Sequence, residues 1–204
     1  MYYDDISKIT QLFSHIYIVE KYKFPILKKE LIMSTYTDER IKEYADYVAP
    51  YIKCYDILII PLTLHNEELH TISIIFRKSN NIFEYYDPNG QDDTYSYIQQ
   101  YIKKLIEILK VVHGIIIEYS EENQVKRGFQ ALQIIQQRKK ALNYKYEPEG
   151  FCYMWNIFFW ELIIQNPEVN NTEIIQKVIS EFMLHLNTII CNYILYMQEE
   201  LKNS

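Results

Sequence analysis

A histidine and an aspartate occur where two neighbouring strands are expected to end. His70 begins the β-branched stretch HTISIIF, and Asp87 directly follows the stretch IFEYY. Residues 78–81 (KSNN) form a turn signal between them, which predicts a β-hairpin with His70 opposite residues 87–89. A carboxylate there can accept a hydrogen bond from one imidazole nitrogen and fix its tautomer, as a general base requires. A solvated turn aspartate beside a polar strand-end histidine is the simpler alternative.

A cysteine is the third residue that could do chemistry. Cys152 opens the most apolar stretch of the chain, residues 151–164, and follows Gly150. A thiol at a helix N-terminus lies near the positive end of the helix dipole and near free backbone N–H groups, which favour the thiolate. The same N–H groups can hold a developing oxyanion. A small buried hydrophobe is the alternative, and for Cys54 and Cys191 it is the preferred interpretation.

The cysteine and histidine spacing does not support a metal site. The three cysteines are widely separated and form no CxxC pair, so neither a zinc ribbon nor a thioredoxin-like site is indicated. Three free thiols fit a reducing compartment. We therefore expect no metal and no cofactor, and an intracellular location.

Hydrophobic periodicity and capping signals predict the elements that must position these residues. The Thr37 cap predicts a helix to about residue 48 that ends at Pro50, and the next stretch predicts a strand broken near Pro61. Gly114 is expected to end a helix as a C′ glycine. The predicted strands are 55–64, 70–76, 82–86 and 115–119. The further predicted helices are 94–112, 151–164 and one from Asn171 or Thr172 to about residue 201, whereas residues 120–150 are polar and charged with only a short pattern at 129–136. Helices around a small strand cluster indicate an α+β fold.

Composition restricts the partners. The chain has 204 residues, 49% of them hydrophobic, and a net charge of −6, which fits a globular protein and argues against a basic nucleic-acid-binding face. A nucleic-acid activator is therefore not expected, although the charge alone does not exclude one. The N-terminus MYYDDIS lacks the basic and apolar regions of a secretory signal, and we expect no membrane partner. We predict a helical extension, residues 1–50, and a domain, residues 51–204, in one compact unit.

The order His70, Asp87, Cys152 resembles the adenovirus-proteinase and SUMO-protease group of cysteine peptidases (ubiquitin-like proteases), especially members encoded by large DNA viruses. The matching segments are ELHTISIIF, IFEYYDPNG, GFQALQ and GFCYMWNIFFWELIIQNP, and the resemblance covers about residues 57–200. It implies a papain-like architecture, in which a small mixed sheet is flanked by helices and the nucleophile starts a buried central helix.

The resemblance also implies roles for individual residues. His70, Asp87 and Cys152 would form the catalytic triad, and Gln130 would donate to the oxyanion. Tyr153 and Trp155 would help to bind substrate in a narrow channel, although core packing is the preferred interpretation for Trp155. Competing glutamines for the oxyanion are Gln133, Gln136 and Gln137.

Two features depart from the group's pattern. Thr71 stands where a Trp often follows the histidine, which removes an aromatic wall of the site. Gln130 precedes Cys152 by 22 residues instead of a few. The oxyanion donor is therefore the assignment that the resemblance supports least.

The expected function is hydrolysis of peptide or isopeptide bonds in a protein substrate, either a viral polyprotein or a ubiquitin-like conjugate. The location would then be the host cytoplasm or the virion. One alternative is an acetyltransferase that uses the same triad with acetyl-CoA. Its phosphates would need the basic group Lys126, Arg127, Arg138, Lys139 and Lys140. Another alternative is a catalytically inactive interaction module on the same fold.

Overall fold

A computed structural model describes residues 31–32, 37–65, 69–90, 96–120, 127–140 and 151–203. Within these ranges the fold is mixed α+β, with a small sheet between helices, as the sequence predicts. The strands are β1 (Leu31–Ile32), β2 (Ile57–His65), β3 (Leu69–Arg77), β4 (Ile82–Tyr86) and β5 (Glu118–Ser120). The helices are α1 (Asp38–Cys54), α2 (Ser96–His113), α3 (Phe129–Lys140), α4 (Cys152–Gln165), α5 (Asn171–Phe182) and α6 (Leu186–Asn203).

The sheet is built around the predicted hairpin. The strand order is β1-β2-β3-β4-β5, with antiparallel pairs in the middle and parallel pairs at both edges. The hairpin register pairs Arg77 with Ile82 and Ser73 with Tyr86. This register brings the beginning of β3, with His70, next to the end of β4, just before Asp87.

Side chains alternate between the two faces of the sheet, and each face has its own apolar cluster. One cluster joins Ile72, Ile74 and Phe83 to buried residues of α1 and α2. The other joins Ile75 and Tyr86 to α3, α4, α5 and α6. The sheet is therefore the middle layer of a helix–sheet–helix arrangement, with α4 on the second face.

Two prolines do not end the elements in which they lie, contrary to the sequence prediction. Pro50 lies inside α1, which continues to Cys54. Ile52, two residues after Pro50, is still buried, so packing favours another helical turn. Pro61 lies within a continuous β2 and pairs with Ser73. On the other side of β2, the described pairing with β1 begins only at Leu62. At Pro61 that side of β2 is therefore like the open side of an edge strand, where a proline without an N–H is tolerated.

Local capping signals have mixed outcomes. The Thr37 hydroxyl accepts from the Arg40 N–H, as predicted. Gly114, at φ 65°, ends α2, and its N–H donates to the Lys110 carbonyl at 3.2 Å, which is the bond of an αL cap. The predicted final helix is two helices, α5 and α6, separated by a 3-10 turn at Met183–His185. Its cap is Asn170, not Asn171 or Thr172.

The expected domain boundary at residue 50 falls inside α1. Buried side chains of this helix, including Ile41 and Val48, belong to the same cluster as the sheet, so α1 is part of that unit. Residues 1–30 lie outside the described residues. The segment Asn171–Glu200 is long and apolar enough to span a membrane by length and composition alone, a test that core helices of soluble proteins also pass.

Candidate active site

The hairpin brings His70 and Asp87 into direct contact. The His70 Nε2 lies 2.9 Å from the Asp87 Oδ1, and both residues are buried, with 7% and 2% of their surface exposed. The β3–β4 pairing ends at Tyr86, and Asp87 is the next residue, so this contact is made where the hairpin opens. The carboxylate occupies Nε2 and leaves Nδ1 as the ring nitrogen available to another group.

Asp87 is held by two further donors. The Asn89 backbone N–H donates to its Oδ1 at 2.7 Å, and the Tyr85 hydroxyl donates to its Oδ2 at 3.0 Å. The turn is closed by the Gly90 N–H, which donates to the Asp87 carbonyl, and Gly90 adopts φ 93°. We call residues 87–90 the Asp87 turn. Its contacts use both carboxylate oxygens, so they fix the plane of the side chain.

Cys152 is the first residue of α4, and its side chain is hydrogen-bonded to His70. Only 5% of the residue is exposed. Burial alone would raise the pKa of this thiol. His70, by hydrogen bond and charge, together with the backbone N–H groups of Thr71 and Tyr153, outweighs burial and lowers the pKa below its usual value. The thiolate is therefore favoured at this position.

His70 is shifted in the complementary direction. Burial, the largest effect, lowers the pKa of His70, but the hydrogen bonds and charges of Asp87 and Cys152 together raise it to about 10. A raised imidazole pKa and a lowered thiol pKa both favour a thiolate–imidazolium pair. The structure thus brings together the three residues expected to form a triad.

A buried polar cluster attaches the start of α4 to β3. The Asn156 Nδ2 donates to the carbonyl oxygens of Thr71, at 2.6 Å, and Cys152, at 2.9 Å. The Ser73 hydroxyl donates to the Asn156 Oδ1 at 2.5 Å and accepts from the Trp160 Nε1 at 2.7 Å. Sequence reasoning assigned no role to these side chains. The available signal was a polar residue four positions after Cys152 in an otherwise apolar helix.

The beginning of α3 packs directly on the Asp87 turn. The Gln130 N–H donates to the Pro88 carbonyl at 2.8 Å. A Cβ on Gly128 would lie 2.2 Å from the Pro88 oxygen and 2.5 Å from the Asp87 oxygen, so only glycine fits this contact. Gln130 is thereby held beside the turn that carries Asp87. Its side chain is half-buried, and its Oε1 has no hydrogen-bond partner among the described residues.

One competing glutamine is explained by a structural contact. Gln133 is fully buried, its Oε1 accepts from the Trp155 Nε1 at 2.7 Å, and its Nε2 donates to Asn187 at 3.3 Å. Its carboxamide is therefore committed to joining α3, α4 and α6. The side chains of Gln136 and Gln137 lie outside the described residues.

Of the two residues expected to bind substrate, one is buried in the core and the other is partly exposed beside Cys152. Trp155 is fully buried, and its ring packs against Phe129 and Phe158. It therefore lies in the core and lines no accessible surface, which corrects its assignment to substrate binding. Tyr153 is half-buried directly after Cys152, with its ring edge-on to Trp160. Thr71 is buried, and its backbone contacts the site from both sides, through its N–H and its carbonyl.

The remaining candidate groups lie apart from this cluster. Cys54 and Cys191 are exposed free thiols. Arg127 is exposed, and the other basic side chains considered for CoA phosphates lie outside the described residues. Within the described ranges, no three His, Cys, Asp or Glu residues form a group that could hold a metal ion.

Comparison with known proteins adds information about the fold alone. No family model matches the chain, and no curated protein matches it. Among solved structures, the chain is similar to the central domain of the uncharacterized Lpg1148 protein from Legionella pneumophila. The two share 11% sequence identity with a TM-score of 0.50, and the match covers 90% of each chain.

Proposed function

We propose that this protein is a cysteine peptidase that hydrolyses peptide or isopeptide bonds through Cys152, His70 and Asp87. The observation that carries the proposal is the connected, buried chain of contacts from Asp87 through His70 to Cys152 at the first turn of a helix. Charges and hydrogen bonds within this chain shift the pKa of both the thiol and the imidazole towards the ion pair. A nucleophile, its proton carrier and an orienting carboxylate are the parts that acyl transfer requires.

The reaction follows from these positions. The Cys152 thiolate attacks the scissile carbonyl carbon and forms a C–S bond, while negative charge moves to the carbonyl oxygen. The Cys152 backbone N–H at the start of α4 and the Gln130 side-chain amide are the proposed donors to that oxyanion. The His70 imidazolium protonates the leaving amine as the C–N bond breaks. Water then attacks the thioester, His70 takes its proton, and the acid product and the thiolate are released.

The element order supports a papain-like architecture of the ubiquitin-like protease type. One strand carries the histidine at its second residue, the next strand leads to the aspartate, and a helix on the sheet begins with the cysteine. The near-complete burial of Cys152 and His70 favours a slender substrate segment at the scissile bond. The resemblance to ubiquitin-like proteases leads us to propose a viral polyprotein or a ubiquitin-like conjugate as the substrate, cleaved inside the cell or virion.

Electrophilic ubiquitin and SUMO probes test this proposal directly. We expect a covalent adduct that disappears in Cys152→Ala and persists in Cys191→Ala, which removes an exposed thiol instead. Peptide-library cleavage covers a polyprotein substrate, which neither modifier imitates. A parallel assay with acetyl-CoA would reveal acetyl transfer in place of hydrolysis. A pH dependence of Cys152 alkylation by iodoacetamide with its midpoint in the ordinary thiol range would refute the catalytic thiolate, because the midpoint, unlike the absolute rate, does not depend on how easily the reagent reaches the buried thiol.

A further inference from the structure

Asn156 is a buried polar residue in a helix that is otherwise apolar towards the core. It has no exposed surface, and its neighbours Trp155 and Ile157 are equally buried. Burying an amide is unfavourable unless its hydrogen bonds are replaced. Here both contacts of the Nδ2 and one of the Oδ1 are made within the protein, to Thr71, Cys152 and Ser73. The carboxamide is therefore fixed from both ends.

Its partners lie immediately beside the proposed reacting groups. One acceptor is the carbonyl of Cys152 itself, and the other is the carbonyl of Thr71, the residue after His70. The N–H of Thr71 contacts the Cys152 sulfur on the other side. Asn156 thus connects the backbone of the nucleophile's residue to the backbone that carries the base.

A merely stabilising role does not require these polar groups. Apolar side chains of similar volume can replace a buried polar pair with little loss of stability, because they need no desolvation. What an apolar side chain cannot do is fix the distance and rotation of two backbone segments, because hydrophobic contact is not directional. The Ser73 hydroxyl strengthens the directional link, since it also accepts from Trp160, one turn further along α4.

We infer that Asn156 is a positioning residue that sets the separation between the Cys152 sulfur and the His70 ring. The inference rests on the proposed role of this pair, and it adds a residue that acts through backbone atoms without touching the substrate. Ser73 supports Asn156 by holding its Oδ1. Loss of either contact lets the first turn of α4 move relative to β3, which weakens the hydrogen bond between thiol and imidazole.

The test uses the full chain with Cys54→Ser and Cys191→Ser, so that Cys152 is the only thiol. The pH dependence of its alkylation by iodoacetamide is measured for the parent, for Asn156→Leu and for Ser73→Ala. We expect the midpoint to move upward by at least one pH unit in both variants. This shift corresponds to a loss of about tenfold or more in the rate at neutral pH, because the rate follows the thiolate fraction.

Asn171→Leu is the matched control. Asn171 begins the neighbouring helix α5, is also fully buried, and accepts a hydrogen bond from the Arg77 side chain at 3.0 Å. We expect it to lower the unfolding temperature without moving the alkylation midpoint. An equal shift in the control would show general loosening and overturn the inference. If Asn156→Leu fails to fold, Ser73→Ala decides, and an unchanged midpoint in that folded variant overturns the inference.

The readout separates this inference from the proposed function. A lowered midpoint in the parent that rises in Asn156→Leu or Ser73→Ala supports the positioning role, even if no peptide or conjugate is cleaved. A parent midpoint in the ordinary thiol range overturns the positioning role, because there is then no coupled pair to position. Cleavage activity is measured separately and bears only on the peptidase proposal.

Discussion

Replacing Asp87 by Asn removes the negative charge of the proposed triad and keeps the shape of the side chain. The Asp87 Oδ1 has two donors, His70 and Asn89, whereas the Oδ2 faces the Tyr85 hydroxyl, which can also accept. An asparagine therefore fits with its oxygen towards His70 and its nitrogen towards Tyr85. The variant isolates the contribution of charge, because the geometry of the turn is conserved.

The magnitude follows from the buried contact between His70 and Asp87. A hydrogen bond to a charged group contributes about 1.5–3 kcal/mol, net of the hydrogen bonds to water that it replaces. Each 1.36 kcal/mol changes an equilibrium constant about tenfold. Without the carboxylate, the pKa of His70 falls from its raised value of about 10. The imidazolium is then less stable, the thiol of Cys152 keeps its proton, and its apparent pKa rises. We expect the thiolate fraction below that pKa to fall by about 10- to 100-fold.

The assay is the rate of iodoacetamide alkylation of Cys152 between pH 5 and about pH 9, a range chosen to bracket the reference pKa of a thiol. The chain contains a matched control, because Asp46 also contacts a histidine, His113, at 2.8 Å, but with 52% of its side chain exposed. Asp46→Asn should leave the profile unchanged. An Asp87→Asn rate within twofold of the parent, with the protein folded, would show that the carboxylate does not support the pair.

Three further predictions concern the oxyanion, the turn and the pH range. Gln130→Ala should lower kcat by about 10²–10³ in a cleavage assay, whereas Gln133→Ala should mainly lower the unfolding temperature; equal kcat losses would argue against Gln130 as the oxyanion donor. Gly128→Ala should abolish cleavage, because its Cβ meets backbone oxygens at 2.2 and 2.5 Å. Gly114→Ala, with φ 65° and open space around it, should cost only about 1–2 kcal/mol in urea denaturation and retain cleavage. As the pH increases, kcat/KM should rise at a pH below the usual thiol pKa, because Cys152 ionises early. It should fall near pH 10, because His70 then loses the proton needed by the leaving amine; a fall near pH 6.5 would contradict the raised pKa of His70.

Local patterns in the sequence predicted most of the elements around the site. The hairpin follows from two β-branched stretches and a polar turn, and the end of α2 follows from Gly114. The start of α4 at Cys152 follows from the sharp change to apolar residues after residue 150. The proximity of His70 and Asp87 was predictable because a short hairpin restricts which residues can be opposite each other.

Local patterns failed where packing outweighs propensity. Pro50 and Pro61 are local signals of termination, yet burial of the residues beyond them extends both elements. The break between α5 and α6 has no Gly or Pro to mark it in the sequence. In these cases the free energy of tertiary contacts, which no local window contains, decides the conformation.

Which residues could do chemistry, and at which element ends they lie, can be inferred from sequence, since capping, alternation and turn formation depend on neighbours within a few positions. Which of these residues meet depends on how the elements pack. The hydrogen bond from Asn156 to Thr71 joins residues 85 positions apart, and Trp155 and Gln133 bind each other across the core instead of facing a substrate. Such contacts depend on how α3 and α4 pack on the sheet. A buried polar atom needs a hydrogen-bond partner, and the packing of the apolar faces determines which distant residue is close enough to be that partner.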